Sequence, residues 1–113
     1  MDRSERRVVI TGIGVISPIG RSPQEIWEAV QVGRSGLARP SAIPREVIPL
    51  RAAGEVKEFT GNVKDFGEMD REAQKNLRKA LKVMCRECQM GVAAGQLALN
   101  DAGIRMGTFA PER

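Results

Sequence analysis

Two cysteines, Cys85 and Cys88, are the side chains of this sequence best suited to redox or metal chemistry. A zinc site would need two more ligands, and the chain has no histidine and no further cysteine to supply them. A thioredoxin-type pair belongs at a helix N-terminus, where the helix dipole favours the thiolate. The helical pattern around these residues instead places both thiols inside a helix, on its apolar face. We therefore predict buried, inert thiols and no metal site.

A Gly-x-Gly pattern, Gly12 and Gly14, follows a short apolar run and suggests a dinucleotide-binding turn. That motif requires a third glycine three residues later, so that the following helix packs closely against the strand. Ser17 occupies that position, Pro18 follows it, and the next predicted helix begins only near Pro23. The sequence therefore predicts a structural strand-to-loop turn, and we expect no cofactor.

Basic residues recur at spacings of three and four in the second half of the chain, which lines them along one helical face. They are Lys75, Arg78, Lys79, Lys82 and Arg86. This face is either a solvated helix surface, which the sequence alone slightly favours, or a docking stripe for an acidic partner. The chain offers no Ser/His/Asp set, no Cys/His pair and no phosphate-binding glycine loop. Because the commonest general base is also missing, the residue patterns identify no catalytic residue.

The composition is that of a folded, mildly basic chain. At 113 residues, with 42% hydrophobic and 28% charged residues, it holds one domain at most or a piece of one. A net charge of +4 suits an acidic partner, whereas an aromatic content of 4% argues against a base-stacking surface for nucleic acid. No run approaches the roughly 20 apolar residues of a membrane span, and no signal peptide is visible. We expect a cytoplasmic protein with reduced thiols.

The first half of the chain is predicted to contain one main strand and one helix. Residues 8–11 are β-branched and stand between charged residues and glycine, a pattern typical of a strand buried on both faces of an α/β sheet. A helix is predicted at residues 23–32, with Ser22 as its cap and Gly33 as its end. Three prolines then predict a loop over residues 33–51.

The second half is predicted to be mainly helical. A short strand at 53–56 and a polar loop at 60–68 precede a helical pattern at 70–101, which breaks or kinks before Met84 because it is longer than a typical helix. Gly91, Ala93, Ala94 and Gly95 are small enough for another backbone to pack closely there. The predicted apolar face includes Leu77, Leu81, Met84 or Cys85, Cys88, Val92 and Leu99.

These segments, taken in order, resemble the N-terminus of the β-ketoacyl-acyl-carrier-protein synthases, the condensing enzymes of fatty-acid and polyketide synthesis. Residues 7–20, Arg-Val-Val-Ile-Thr-Gly-Ile-Gly-Val-Ile-Ser-Pro-Ile-Gly, are similar to that family's first strand and the loop after it. Residues 26–36 are similar to its first helix, 53–56 to its next strand and 84–103 to its next major helix. Cys85 departs from the family pattern, which often has aspartate there.

The resemblance implies the thiolase-like layered α/β/α/β/α fold, of which residues 1–113 would be a helix-rich N-terminal portion with one main buried strand, not an autonomous domain. It also implies an acyltransferase that condenses an acyl thioester with malonyl-acyl carrier protein and releases CO₂. The family's nucleophilic cysteine and two histidines lie beyond the region resembled, and neither Cys85 nor Cys88 matches that cysteine. We therefore carry over no catalytic residue and expect this chain alone to be inactive.

Acyl carrier protein, which is acidic, is the partner that the resemblance implies, because basic residues near the matching helix help to dock it in this family. We expect Lys79 and Lys82 to contribute most, with Arg78 and Arg86 next. The full-length protein is expected to form a homodimer or to pair with another synthase subunit, without nucleic acid or a membrane span. Two alternatives stay open: a non-catalytic synthase-like partner, and a stand-alone binding protein that uses the basic helix.

Overall fold

The computed structural model describes residues 6–105, 107 and 110. Mixed helix and strand make up this part of the chain, with helix dominating. In chain order the elements are helix α1 (Pro23–Gln31), strand β1 (Leu37–Ala38), strand β2 (Ala53–Gly54), a 3₁₀ helix (Val63–Phe66), helix α2 (Arg71–Leu81) and helix α3 (Arg86–Asp101).

Helix α1 begins and ends where its local sequence predicts, within one residue. The Ser22 hydroxyl accepts a hydrogen bond from the Glu25 amide at 3.2 Å, and Pro23 occupies the first turn, where a missing N–H costs nothing. The Glu25 carboxylate accepts from the Arg21 amide at 2.6 Å, one residue before the position expected of a capping box. Gly33 follows the helix with a φ of +65°, a conformation that favours glycine.

The two short strands form an antiparallel pair, with Leu37 opposite Gly54 and Ala38 opposite Ala53. The strand predicted at 53–56 is therefore present but shorter, and its partner lies within the stretch predicted as a loop. Next to it, the Glu55 carboxylate accepts hydrogen bonds from the amides of Ser41 and Ala42 at 2.8–2.9 Å and from the Ser41 hydroxyl at 2.8 Å. These bonds, that of the Ala42 amide first, hold the pKa of Glu55 below its usual range.

The predicted long helix is two helices, which confirms the break expected before Met84. Helix α2 starts at the Asp70 cap, whose carboxylate accepts from the Ala73 amide at 2.7 Å. Residues 82–85 separate α2 from α3. The Gln89 side-chain amide donates to the carbonyls of Leu81 at 3.3 Å and Met84 at 3.2 Å, so one side chain of α3 bonds both the last carbonyl of α2 and a carbonyl within the break.

The core lies where the 3₁₀ helix meets α2 and α3. Phe59 and Phe66 are almost fully buried, with ring centroids 5.8 Å apart, and they pack with the buried Ala93 of α3. Leu77 and Leu81 of α2 pack against this cluster as predicted. Other half-buried side chains around it are Ile16, Val56, Met69 and Met90.

The prediction for the part of the apolar face that lies on α3 is wrong. Val92 and Leu99 are 42% and 36% exposed, whereas Met90 and Ala93 face the core. The reason is the break at residues 82–85, since a helix that restarts there no longer continues the periodicity of α2.

The prediction of a main buried strand at residues 8–11 is also wrong for this structure. Val8, Val9 and Ile10 are 93%, 73% and 84% exposed, and the segment forms no strand. A strand needs a neighbour to pair its backbone groups, and within the described residues this segment forms no β-pairing. The following residues lie along α3 instead, where the Ile13 amide donates to the Asp101 carboxylate at 2.9 Å.

Gly12 and Gly14 permit this close approach to α3. A Cβ on Gly14 would overlap the Ala94 carbonyl oxygen and lie 2.5 Å from the Ala98 amide nitrogen, and a Cβ on Gly12 would lie 2.6 Å from the amide nitrogen of Ala102. The small residues of α3 therefore do admit another backbone, as predicted. Gly91 and Gly95, however, have open space on the side where a Cβ would project.

The described chain is extended for its length. Its radius of gyration is 17.9 Å, whereas a compact chain of 113 residues has about 13 Å. Large apolar side chains are correspondingly exposed outside the small core, including Trp27 at 60% and Val83 at 88%. A single compact core thus organises only the part of the chain around the 3₁₀ helix, α2 and α3.

Candidate functional site

Helix α2 presents a basic face opposite the face that packs on the core. Leu77 and Leu81 point to the phenylalanine cluster, which leaves the basic residues of the helix exposed to solvent. We call the exposed set Lys75, Arg78, Lys79 and Lys82 the basic face. The sequence of α2 contains one acidic residue, Glu72, and within residues 6–105 no carboxylate lies at ion-pair distance from the basic face. These four cations are therefore available to an anionic partner.

Arg86, the remaining predicted docking residue, is held differently. Its guanidinium donates hydrogen bonds to the backbone carbonyls of Phe59 at 2.9 Å and Val56 at 2.7 Å, and it lies 5.6 Å from the centre of the Phe59 ring. These contacts tie the start of α3 to the segment before the 3₁₀ helix. The structure thus places Arg78 and Lys79 in the last turn of α2 and Lys82 at its C-cap, while the Arg86 guanidinium is bonded to the chain's own carbonyls.

The two cysteines are exposed at the N-terminus of α3, so the prediction of buried thiols inside a helix is wrong. The break before α3 makes Cys85 the cap residue and places Cys88 in the first turn, with 3.4 Å between their sulfur atoms. The neighbouring Cys85 sulfur, with a smaller contribution from Glu87, raises the pKa of the Cys88 thiol. The Cys-x-x-Cys spacing could have indicated a thiol pair at a helix N-terminus only if the exact position of the helix break had been known first.

A polar cluster that sequence patterns did not predict links α1 to the 3₁₀ helix. The Asp65 carboxylate accepts hydrogen bonds from the Thr60 amide at 2.8 Å and hydroxyl at 2.7 Å, and it pairs with Arg21 at 3.3 Å. Burial acts to raise the pKa of Asp65, but the Thr60 hydrogen bonds and the Arg21 charge outweigh it and hold that pKa below its usual value. No local signal identifies the cluster because Arg21 and Asp65 lie far apart in sequence.

The described residues carry few features of a small-molecule or metal site. Two open grooves have volumes of about 450 and 570 Å³, and neither is lined by the cysteines or the basic face. Within the described ranges, no three histidine, cysteine or carboxylate side chains form a group that could hold a metal ion. Nor does any described helix combine the length and apolar character needed to cross a bilayer. The basic face and the cysteine pair are therefore the candidate functional features of the described chain.

Comparison with known proteins assigns the chain to a family. Residues 5–113 match the family described as Beta-ketoacyl synthase, N-terminal domain. Several similar proteins carry the name 3-oxoacyl-[acyl-carrier-protein] synthase 2. The one from Synechocystis sp. is 37% identical over 101 residues, which cover 88% of this chain and 21% of that protein.

Other relatives of the same name give the same picture. The Vibrio harveyi protein is 35% identical over 103 residues, which cover 91% of this chain and 22% of its own length. The Staphylococcus aureus (strain COL) protein is 32% identical over 99 residues, covering 88% of this chain and 21% of that protein. The chain thus spans about a fifth of the length of the curated relatives it matches. By this match over nearly its whole length, the chain belongs to the β-ketoacyl synthase family, in the region of that family's N-terminal domain.

Proposed function

We propose that this chain is the N-terminal portion of a 3-oxoacyl-acyl-carrier-protein synthase. The intact protein would condense an acyl thioester with malonyl-acyl carrier protein, with loss of CO₂, in fatty-acid or polyketide synthesis. The observation that carries the proposal is the family match over residues 5–113, together with relatives named 3-oxoacyl-[acyl-carrier-protein] synthase 2. This chain covers only about a fifth of those relatives, so the activity is proposed for the whole protein.

The physical state of the chain supports a role as part of a larger layered fold. Its radius of gyration of 17.9 Å and the exposure of Val8, Val9 and Ile10 leave apolar surface that a sheet would cover. In the thiolase-like α/β/α/β/α arrangement proposed here, residues 7–13 pair with neighbouring strands of the first sheet. We accordingly propose that residues 1–113 are not an autonomous domain and that the intact protein is a cytoplasmic dimer.

The chain alone is proposed to be inactive in condensation. In the reaction proposed for the whole protein, a cysteine thiolate attacks the thioester, and two imidazoles stabilise the negative charge that develops on decarboxylation. The chain contains no histidine, and its cysteines lie at the cap and in the first turn of α3 rather than on a strand-to-helix elbow. These groups would have to come from the rest of the intact protein.

The basic face is proposed to dock acyl carrier protein, whose surface is acidic. Lys79 and Lys82 lie exposed at the end of α2 with Arg78 beside them, and no carboxylate of the described chain neutralises them. Charges of this kind steer an anionic partner and fix its orientation. Because the Arg86 guanidinium is bonded to two carbonyls, we assign it the positioning of α3 rather than direct contact with the partner.

A condensation assay on the intact gene product tests the catalytic proposal. The purified protein is supplied with acyl-loaded and malonyl-loaded acyl carrier protein, and the elongated 3-oxoacyl product is followed by mass spectrometry. Product formation supports the proposal. If the protein forms none alone but does so with a second synthase subunit, it is the non-catalytic partner. A native protein of 12.3 kDa that binds the carrier without condensation would instead establish the stand-alone binding protein.

Charge reversal tests the docking proposal separately. We expect the K79E/K82E double variant to bind acyl carrier protein about tenfold more weakly at low ionic strength, which corresponds to about 1.4 kcal/mol. The difference should shrink as salt screens the charges. The matched control is K57E/K64E, which reverses two exposed lysines outside α2 and should leave affinity nearly unchanged. Equal affinities for the two double variants at low salt would contradict the docking assignment.

A further inference from the structure

The helix break creates a preformed pair of thiols. Cys85 is the cap residue of α3, with extended backbone angles of φ −68° and ψ 165°, and its carbonyl accepts the first helical hydrogen bond, from the Gln89 amide at 3.0 Å. Cys88 is three residues further on, in the first turn. A cap side chain and the side chain three residues later lie next to each other, as they do in a capping box. Here both are thiols, and 3.4 Å separates their sulfur atoms.

The residues between and beside the thiols fix this geometry. The Arg86 guanidinium is bonded to the carbonyls of Val56 and Phe59, and the Gln89 side chain is bonded to those of Leu81 and Met84. Four hydrogen bonds therefore anchor the first turn of α3 to the preceding chain. The Cys85 side chain makes no capping bond to the helix amides, and both thiols are exposed to reagents in solution.

We propose that Cys85 and Cys88 form a reversible dithiol–disulfide site whose oxidants are small-molecule disulfides of the glutathione class. The sulfur atoms must approach from 3.4 Å to the covalent length of about 2.0 Å, which a small rotation of the exposed side chains provides. The proposal does not depend on the proposed condensation activity.

The exchange balances without any other reagent. The Cys85 thiolate attacks one sulfur of oxidised glutathione, which forms a mixed disulfide and releases one glutathione thiolate. The Cys88 sulfur, after losing its proton to solvent, attacks Cys85 and expels the second glutathione. Two protein thiols are oxidised to one disulfide, and one glutathione disulfide is reduced to two thiols. The same products form if the Cys88 thiolate attacks first and Cys85 resolves the mixed disulfide.

Tryptic mapping of the intact gene product provides a direct test, because Arg86 lies between the two cysteines. The native protein is equilibrated with mixtures of oxidised and reduced glutathione, alkylated, denatured and digested without a reductant. We expect peptide 83–86 to remain joined to peptide 87–105, or an uncut peptide 83–105 that lacks two hydrogens. Added reductant should separate the linked pair into two alkylatable peptides, and it should convert the uncut peptide 83–105 to a single peptide with two alkylatable thiols.

Controls separate the structured site from chance pairing. C85S and C88S should each abolish the linked product and leave one cysteine that carries glutathione or alkyl label. The same equilibration in urea should give less linked product at each glutathione ratio, because the anchored turn no longer holds the thiols together. Equal linkage in urea, or two fully alkylated cysteines in the oxidised native protein, would overturn the proposal.

Discussion

Replacing glycine by alanine is expected to have opposite effects on stability at two positions, Gly14 and Gly95, because residues 12–14 pack closely on helix α3 whereas a methyl group at Gly95 would meet open space. In G14A, the new methyl group would overlap the Ala94 carbonyl oxygen and lie 2.5 Å from the Ala98 amide nitrogen. Both are backbone atoms of a helix, so neither can rotate away as a side chain would. Gly95 lies on the same helix but has no atom within 4 Å of its own added methyl group. G95A therefore gains helix propensity without a clash.

The expected magnitudes follow from these two situations. Overpacking of a filled site costs about 1–3 kcal/mol of unfolding free energy, and we place G14A at the upper end because its neighbours are backbone. Replacing glycine by alanine inside a helix gains about 1 kcal/mol where the site is open. The two variants should therefore differ by about 3–4 kcal/mol in the free energy of unfolding, with opposite signs relative to the parent protein.

Urea unfolding of the intact gene product, followed by far-ultraviolet circular dichroism, measures both variants against the parent. We expect a lower midpoint for G14A and a higher midpoint for G95A at an unchanged slope. Hydrogen exchange should also show faster exchange of the Ile13 amide in G14A, because its bond to the Asp101 carboxylate depends on the same contact. A G14A protein as stable as the parent would refute the close packing of this segment on α3.

Two further predictions concern polar contacts that hold the core region together. R86M should lose about 2 kcal/mol of unfolding free energy in urea titrations, because it removes two charge-assisted hydrogen bonds to carbonyls. R78M, on the exposed basic face, should change stability by less than about 0.5 kcal/mol. Equal losses for the two variants would contradict the anchoring role of Arg86. For Asp65, whose pKa is lowered in the folded state, the stabilisation is present above the unfolded-state pKa of about 3.9 and is lost as pH falls through the folded-state value. As the pH is lowered through this acidic range, the urea midpoint should therefore fall less steeply for D65N than for the parent. D65N should also be the less stable protein at pH 7. Parallel pH profiles would show that the Thr60 and Arg21 contacts do not stabilise the ionised carboxylate.

Elements governed by neighbouring residues could be predicted from the sequence. The start of α1 follows from a serine cap and a proline in the first turn, and the start of α2 lies one residue after the predicted Asp70. Caps act over three or four residues, so a single sequence contains all the information they need. The basic character of α2 was predictable for the same reason, since spacing along one helix decides which side chains share a face.

The position of the cysteines could not be predicted, because it depends on contacts distant in sequence. Arg86 reaches carbonyls at positions 56 and 59, and these contacts fix where α3 begins. The prediction from sequence continued the helical periodicity of α2 across the break into α3. It therefore placed Cys88 and Val92 on the apolar face. The structure instead exposes both residues, and Met90 and Ala93 contact the core. The break was predicted only as lying before Met84, without its effect on the helical phase, so the thiol pair was expected to be buried, whereas the structure exposes it.

The exposed residues 8–10 show the limit of strand prediction from composition. β-branched residues fit a pleated, half-buried surface, but their type does not specify which neighbour supplies that surface. In this structure, Gly12 and Gly14 are fitted to α3, whereas Val8, Val9 and Ile10 are exposed by 73–93%. An exposed apolar run of this kind is prone to pair with any available strand edge. A segment with one side matched to a helix and the rest without a partner is the arrangement expected of an inner strand in a layered sheet. For this reason the β-branched run, although not a strand here, is a physical argument for the larger synthase fold proposed above.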